Sequence, residues 1–452
     1  MGVTIGGVID RRGFLAAVAG TVVAGRAAGA MQPGWSAGVA EIDITPEGSL
    51  WMAGFAARKQ PAQGVALPLQ AKALALRDAG QRTRVLVTAD LLGLTARVTS
   101  RVAAEVQRRH RVRRADILFN ASHTHCGPIV EKQLSVAYDL STEQWSAIDK
   151  YTATLEGKLV TVVGQAIARM RPARVSYARG EARFARNRRV KFPGGPVDHS
   201  VPVLRVDDDR PGPLAIVFGY ACHNTTLPAG FVQYHGDYAG VAQAAIEERH
   251  PGVTALFVAG CGADANPDPR GTLDLVQAHG AALADAVDRV LENATAVPAG
   301  LRTAYGTVDL PFARGEARER WRRQLEIDPV YLKRHAALMD AAMLRDGRLP
   351  AAQAAPIQVW RFGGSLVLVA LSGEVVVDYA LRLAREHPDL RVWTAGYSND
   401  VFGYVPSARV LREGGYEGGD AMIYYGRPAP FTETVEDSIV REANRLIRAT
   451  GR

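Results

Sequence analysis

The chain has 452 residues, of which 47% are hydrophobic and 22% are charged, a balance typical of a globular protein with a large core. Beyond the N-terminus, no apolar run approaches the roughly 20 residues that a membrane-spanning helix needs. The formal net charge of +8 is distributed along the chain, with arginines interleaved among Asp and Glu, which argues against nucleic-acid binding as the main function.

The N-terminal segment is typical of an export signal. It contains the run Asp10-Arg11-Arg12-Gly13-Phe14-Leu15, an apolar Ala/Val/Gly segment and the small-residue tripeptide Ala28-Gly29-Ala30. This order resembles a twin-arginine signal with its cleavage site, whereas an amphipathic first helix would repeat a polar face. We therefore expect residues 1–30 to be a signal peptide, residues 31–452 to form one domain, and the mature protein to be periplasmic or secreted.

The remaining chain alternates between predicted strands and helices. Strands are predicted over 37–46 (an edge strand closed by a proline turn), 67–78 and 84–90 (a hairpin), 117–119, 173–181, 201–206, 214–220, 253–258, near 305, 357–362, 366–371 and 392–397. Helices are predicted over 95–110, 141–170, up to 250, 273–291, 314–344 (a pair) and 433–447. This order predicts an α/β fold of mixed sheets flanked by helices, with a functional site at the carboxyl ends of strands.

The most informative motif follows the predicted strand 117–119 and reads Asn120-Ala121-Ser122-His123-Thr124-His125-Cys126-Gly127-Pro128. In an extended chain, side chains two residues apart share a face, so His123 and His125 are predicted to point the same way. Two converging imidazoles suit a metal or proton-transfer site. The alternative is a pair of histidines hydrogen-bonded near the core.

Polar side chains also follow other predicted strands, namely His223, Asp264, Glu374 and Tyr404. Because ligands gather outside the carboxyl ends of strands in open α/β sheets, one site could collect them together with the two histidines. Two histidines and a carboxylate suit zinc with one position left open for water, although manganese and iron accept similar ligands.

Two further features leave alternatives open. The basic segment 186–189 is either a solvated loop or a loop that closes over a carboxylate or carbonyl oxygen of the substrate. The odd set Cys126, Cys222 and Cys261 consists either of small buried residues or of two bridged cysteines and one free thiol, and a nucleophilic role is a further alternative.

These motifs together resemble the neutral (non-lysosomal) ceramidases and their bacterial relatives, over about residues 37–425. The carriers are the 120–128 motif, Cys222-His223-Asn224-Thr225-Thr226, Gly262-Ala263-Asp264-Ala265-Asn266-Pro267, Ser372-Gly373-Glu374, and Gly403-Tyr404 with Tyr416-Glu417. The resemblance implies that His123, His223, Glu374 and Tyr404 bind one Zn²⁺. It also implies that His125 lies beside the metal and contacts the substrate, and that Tyr416 and Arg188 steady the carbonyl oxygen.

Two departures from the family pattern concern the substrate. Asn266 falls where ceramidases carry their active-site serine, and its amide can hydrogen-bond but supplies no hydroxyl. We also expect no immunoglobulin-like domain after the predicted C-terminal helix, whereas ceramidases carry one after the catalytic domain. Both departures leave the metal chemistry in place.

The resulting hypothesis is an exported zinc-dependent hydrolase that cleaves an amide bond, in ceramide or another N-acyl compound, by attack of a metal-bound water. His125, Tyr416 and Arg188 are expected to stabilise the oxyanion, with Asn266 beside them. The alternatives are a metal hydrolase acting on an ester or glycosidic linkage, and a non-catalytic metal-containing binding protein. The expected partner is a small-molecule or lipid-like substrate, and the oligomeric state stays open.

Overall fold

The strands assemble into a nine-stranded sheet, a four-stranded sheet and two two-stranded sheets in a computed structural model that describes residues 1–2, 34–189, 194–313 and 330–451. The strands are β1 Trp35–Asp43, β2 Gln70–Arg77, β3 Thr83–Ala89, β4 Ile117–Ala121, β5 Arg171–Glu181, β6 Ala185–Asn187, β7 Ser200–Asp207, β8 Pro213–Tyr220, β9 Thr254–Ala259, β10 Ala265–Pro267, β11 Thr295–Ala296, β12 Leu301–Pro311, β13 Ala352–Phe362, β14 Leu366–Leu371, β15 Glu374–Val375, β16 Arg391–Ala395 and β17 Tyr404–Val405. The helices are α1 Ala96–His110, α2 Thr142–Ala168, α3 Asp237–Arg249, α4 Leu273–Leu291, α5 Val330–Asp346, α6 Asp378–Glu386, α7 Ala408–Glu413, α8 Gly415–Gly418 and α9 Val435–Ala449. The predicted signal peptide and the first part of the predicted helical pair lie outside the described residues.

The larger sheet has the order β4-β3-β2-β1-β5-β7-β8-β9, with β11 added to β5. Its pairs are antiparallel except β3 with β4 and β8 with β9, which are parallel. The predicted 67–78 and 84–90 hairpin is confirmed as the antiparallel pair of β2 and β3. The smaller sheet has the order β12-β13-β14-β16, in which β14 and β16 are parallel.

The prediction that the first strand is an edge strand was wrong. β1 pairs with β2 along Ser36–Asp43 and with β5 along Trp35–Ala37, so it lies inside the sheet. The prediction relied on Pro46, but this proline comes after the strand ends and therefore blocks neither edge.

The two faces of the larger sheet bury different layers because side chains alternate along each strand. In β2, Ala71, Ala73 and Ala75 belong to the cluster that includes α1 and α2, whereas Leu74 and Leu76 belong to the cluster shared with the smaller sheet. Helices α3 and α4 cover the β7–β9 half of the sheet, and α6 and α9 cover the smaller sheet. Residues 33–452 form one compact unit, so the predicted α/β fold of mixed sheets flanked by helices is confirmed. Within the described ranges, none of the helices has the length and apolarity needed to cross a bilayer.

The carboxyl ends of β4, β9 and β16 are tied together by one buried side chain, Asn120. Its Oδ1 accepts a hydrogen bond from the Ala259 N–H at 2.8 Å, and its Nδ2 donates to the Gly396 carbonyl at 2.8 Å. A buried amide that is satisfied on both sides fixes these strand ends relative to one another. Because Asn120 begins the histidine motif, this contact positions the candidate site.

Candidate metal centre

Four buried side chains converge beyond these strand ends: His123, His223, Glu374 and Tyr404. Glu374 Oε2 lies 3.1 Å from His123 Nε2 and 3.2 Å from His223 Nε2. His223 Nε2 also lies 3.2 Å from the Tyr404 hydroxyl. The structure therefore brings together all four residues that the resemblance implied as ligands.

Three of these residues follow the end of a strand closely, as the sequence predicted. His123 comes two residues after β4, His223 three residues after β8, and Glu374 three residues after β14. Tyr404 instead begins β17, whose parallel pairing with β15 places it opposite Glu374. The pairing of these two short strands thus brings the Tyr404 phenol beside the Glu374 carboxylate.

The two histidines of the 120–128 motif converge for a different reason from the predicted one. β4 ends at Ala121, and His123 has a φ of 62°, so the segment is not extended and strand alternation does not apply. The His123 N–H donates to the Leu91 carbonyl, which holds this turn. The Nε2 atoms of His123 and His125 still come within 3.3 Å of each other.

Backbone carbonyls set the tautomers of His123 and His223, the two histidines predicted as ligands. His123 Nδ1 lies 2.7 Å from the Leu92 carbonyl, and His223 Nδ1 lies 2.9 Å from the Gly262 carbonyl. A carbonyl only accepts, so each Nδ1 carries the hydrogen and each Nε2 directs a lone pair inward. Both lone pairs face the same carboxylate oxygen of Glu374, and a positive charge between them, a bound cation or a proton, stabilises this arrangement. The donor set and its outer hydrogen bonds therefore fit a divalent metal ion.

Burial and neighbouring charges support the protonation states that metal binding requires. Burial and the positive charge of Arg188 lower the pKa of His223 to about 4, so this imidazole is neutral at pH 7. Burial raises the pKa of a carboxyl group, but positive charge and hydrogen bonding at the His123 and His223 rings outweigh that effect and hold the pKa of Glu374 well below its usual range, so a positive charge between the rings and the carboxylate stabilises its ionised form. The other carboxylate oxygen of Glu374, Oε1, accepts a hydrogen bond from the Tyr425 hydroxyl.

A third histidine completes a group that could hold a metal ion. The ring nitrogens offered by His123, His125 and His223 all lie within 4.8 Å of one another. Burial and the two neighbouring histidines lower the pKa of His125 well below its usual value, so it is also neutral. Its Nδ1 has no hydrogen-bond partner among the described residues. His125 also lines both cavities beside this group, so its position suits either a ligand or a contact to substrate.

The position of His125 depends on a close approach by Gly54. Gly54 has a φ of +101°, and a Cβ at this position would lie 2.4 Å from His125 Nδ1. On the same side the Phe55 ring lies 4.7 Å from the imidazole, and Arg58 donates a hydrogen bond to the His125 carbonyl. Sequence reasoning missed this segment, and the only signal it offers is a glycine beside an aromatic residue and an arginine.

The interpretation of segment 186–189 as a solvated loop was wrong for two of its arginines. Arg188 donates to the Tyr404 hydroxyl at 2.8 Å, to Glu417 Oε1 at 2.8 Å and to Asn266 Oδ1 at 3.3 Å. Arg189 is 6% exposed and donates to Glu417 Oε2 at 2.9 Å. Glu417, itself 5% exposed, therefore holds both guanidinium groups, a role that the sequence did not reveal.

Two cavities meet beside the candidate ligands. One of about 560 Å³ is lined by residues that include Arg188, Asn266 and Tyr416, and the other, of about 230 Å³, is lined by apolar residues, tyrosines, His123 and Glu374. Gly54, Phe55, His125, Tyr404 and Tyr416 border both cavities. The Tyr416 ring is 44% exposed and lies 5.2 Å from the Tyr404 ring, between centroids.

Asp264, the remaining strand-end carboxylate, does not join the ligand group. Its Oδ2 accepts from Asn187 Nδ2 and its Oδ1 from the Val377 N–H, both at 3.0 Å. Burial raises the pKa of Asp264 to about 6. These contacts tie β6 to the segment that follows Glu374, which is a structural role.

The three cysteines are buried and free, so the alternative of a disulfide bridge was wrong. Burial raises the pKa of Cys126 to about 12 and raises those of Cys222 and Cys261 well above their usual value. Since the thiolate is the nucleophile, these protonated thiols are poorly suited to attack a substrate.

Comparison with known proteins identifies the family. Residues 35–271 match the family described as "Neutral/alkaline non-lysosomal ceramidase, N-terminal", which is more than half of the chain. The chain belongs to this family. The match confirms the resemblance drawn from the motifs, and this ceramidase family is one of hydrolases. The matched region includes His123, His125 and His223 and ends before Glu374.

Solved ceramidase structures extend the likeness to nearly the whole chain. The neutral ceramidase from Pseudomonas aeruginosa is 20% identical, with a TM-score of 0.70 over 92% of this chain and 75% of the other. A ceramidase complexed with C2 is 19% identical, with a TM-score of 0.71 over 92% of this chain and 76% of the other. At these identities the likeness concerns the fold. A search of curated proteins gives no match.

Proposed function

We propose that this ceramidase-family protein is a zinc-dependent amidohydrolase that cleaves the amide bond of an N-acyl compound, and that His123, His223, Glu374 and Tyr404 hold the metal. The observation that carries the proposal is the pair of inward lone pairs from His123 and His223, 3.1 and 3.2 Å from one Glu374 oxygen. A buried carboxylate facing two imidazole lone pairs is stabilised by a cation. Zinc bound there would supply an activated water and polarise the substrate carbonyl.

The substrate amide would lie where the two cavities meet, between His125, Tyr404 and Tyr416. Leu92, Leu134 and Ala137 line the smaller cavity, so it suits an acyl chain. The larger cavity, with its arginines and Asn266, suits the amine part. In this placement the carbonyl faces the candidate metal ligands, and the arginines lie on the side of the amine part.

Three side chains would stabilise charge that develops on the carbonyl oxygen. Arg188 keeps its positive charge, because Tyr404 and Glu417 outweigh the effect of burial and raise its pKa well above the usual value. His125 is neutral and lines both cavities, and Tyr416 offers a hydroxyl at the cavity wall. Each donor of this kind typically contributes about 10²–10³ in rate.

The N-terminal sequence supports the further proposal that the protein is exported through the twin-arginine route and acts in the periplasm or outside the cell. The pattern of residues 10–30 carries this part of the proposal. Expression of a reporter fused to residues 1–36, compared with an Arg11→Lys, Arg12→Lys version, tests it. Equal export of both fusions would contradict it.

Hydrolysis of N-acyl compounds tests the main proposal. Purified protein is incubated with a ceramide, an N-acyl amino acid and a fatty-acid ester, and released fatty acid is quantified by mass spectrometry. We expect release from an amide that is lost in His223→Gln and kept in His250→Gln, a partly exposed histidine paired with Asp288. Turnover by a metal-free His223→Gln protein, or release from the ester alone, would contradict the proposal.

A further inference from the structure

The larger cavity is rich in hydrogen-bond donors and positive charge. Its lining includes three arginines, Arg188, Arg189 and Arg270, and a single carboxylate, that of Glu417. Both oxygens of Glu417 are already occupied, Oε1 by Arg188 and Oε2 by Arg189. Glu413 pairs with Arg189 as well, so two carboxylates compensate the charges of these two guanidinium groups.

The third arginine, Arg270, stands apart from this network. It is exposed at the cavity wall, and no carboxylate lies within 4.0 Å of its guanidinium in the part of the chain that the structure describes. The next residue is fixed to the cavity wall, since the Gly271 N–H donates to the Thr226 carbonyl at 2.8 Å. Arg270 thus offers a planar fork of donors next to Thr225, which also lines the cavity.

Asn266 adds a second donor whose direction is set by its neighbours. Its Oδ1 accepts from Arg188 Nη1 and from the Thr225 hydroxyl, both at 3.3 Å. A guanidinium group has no acceptor, so the contact with Arg188 identifies the carbonyl end of the amide. The Nδ2 end has no partner among the described residues, and Asn266 lines the cavity. Its free N–H groups are therefore available to a ligand.

We infer that the substrate's amine part carries an ionised acid group, a carboxylate or a phosphate-like group, bound by Arg270 and Asn266 Nδ2. An ionised acid accepts hydrogen bonds and donates none, which matches a wall that presents donors and an unbalanced positive charge. A neutral hydroxylated head group would leave the charge of Arg270 without a counter-charge, whereas an ionised acid supplies one. This inference rests on the proposed function, because it treats the larger cavity as the place of the amine part.

Three ligands of matched shape test the inference on the metal-containing protein. N-decanoylglycine carries a carboxylate, N-decanoylglycinamide is its neutral counterpart, and N-decanoyl-aminomethylphosphonate carries a phosphonate. Hydrolysis is followed as released decanoate, and binding of each ligand is measured separately by calorimetry. The variants are Arg270→Gln, Arg270→Lys and, as a matched control, Arg186→Gln, an exposed arginine that pairs with Asp268 outside the cavity.

We expect the wild-type protein to prefer at least one of the two acids over the amide about tenfold or more, in kcat/KM and in Kd. Arg270→Gln should lose most of this ratio, Arg270→Lys should keep part of it, and Arg186→Gln should keep it all. The preferred acid identifies the group as carboxylate or phosphonate. Three results would overturn the inference. They are equal kcat/KM and Kd values for the acids and N-decanoylglycinamide, an acid preference that is unchanged in Arg270→Gln, and failure of all three ligands to bind.

The two proposals fail in different ways. If N-decanoylglycinamide is cleaved as fast as the two acids, the acid site is overturned, but the proposal that the protein hydrolyses an amide bond still holds. Binding with a Kd ratio that depends on Arg270, in the absence of any hydrolysis, would support the acid site and overturn amide hydrolysis of these compounds.

Discussion

Substituting Glu417 by Gln removes the charge that holds Arg188 and Arg189 together. The side chain of Glu417 is 6% exposed, and its two hydrogen bonds to the arginines are 2.8 and 2.9 Å long. Removing one partner of a buried ion pair typically costs 3–5 kcal/mol. Because Arg189 also contacts Glu413 at 3.1 Å, we expect a loss of about 3 kcal/mol in the free energy of unfolding, at the lower end of that range.

The same substitution should reduce turnover, because Arg188 would lose one of the contacts that hold it beside Tyr404. Stability is measured by urea unfolding followed by fluorescence, and kcat with the best N-acyl substrate. Glu413→Gln is the matched control, since its carboxylate is 18% exposed and Arg189 would keep Glu417. Equal losses of stability in the two variants, or full turnover in Glu417→Gln, would refute the assigned role of Glu417.

Three other perturbations give separate tests. Gly54→Ala should lower kcat roughly 100-fold without removing the metal, because its Cβ would displace His125, and unchanged kinetics would contradict this close approach. Tyr425→Phe should weaken metal binding about 10- to 100-fold in a competitive chelator titration, because Glu374 loses a supporting hydrogen bond; an unchanged affinity would argue against that support. Burial lowers the pKa of His235 from 6.5 to about 4, so the unfolded chain binds more protons than the folded protein between these pH values. The free energy of unfolding should therefore fall as the pH drops through this window, by up to about 3 kcal/mol from this group. His235→Gln should make that decline shallower in urea titrations at several pH values, and an identical slope would exclude His235 as a cause.

Elements with a clear local signal were predicted closely from the sequence. Helix α4 spans Leu273–Leu291 and strand β14 spans Leu366–Leu371, both as predicted. Helix α1 begins after Thr95, whose hydroxyl accepts from the Val98 N–H, a capping contact within one turn. Apolar periodicity and capping depend on neighbouring residues, so a single sequence contains them.

Features that depend on contacts between distant parts of the chain were not predictable in this way. The inner position of β1 results from pairing with β5, more than 130 residues later, and nothing within β1 indicates it. The hydrogen bond between Glu417 and Arg188 joins residues 229 positions apart. The left-handed conformation of His123 is held by backbone contacts to the segment that follows β3, so the local pattern suggested an extended strand instead.

For the candidate site, the sequence predicted which residues come together but not the contacts that bring them together. The family resemblance supplied His123, His223, Glu374 and Tyr404, and the structure brings all four together. The reasons for their convergence lie in tertiary contacts: carbonyls that orient the imidazoles and a short parallel bridge that aligns Glu374 with Tyr404. Whether these four residues act as metal ligands remains a prediction.

Metal content is the most direct test of the central claim. Elemental analysis of the purified protein is compared with His223→Gln and, as a control, His250→Gln, with folding of each checked by circular dichroism. We expect about one zinc per chain in the wild type and the control, and loss of the metal from folded His223→Gln. Folded wild-type protein that contains no metal and takes up none from added zinc would contradict the account of a metal centre.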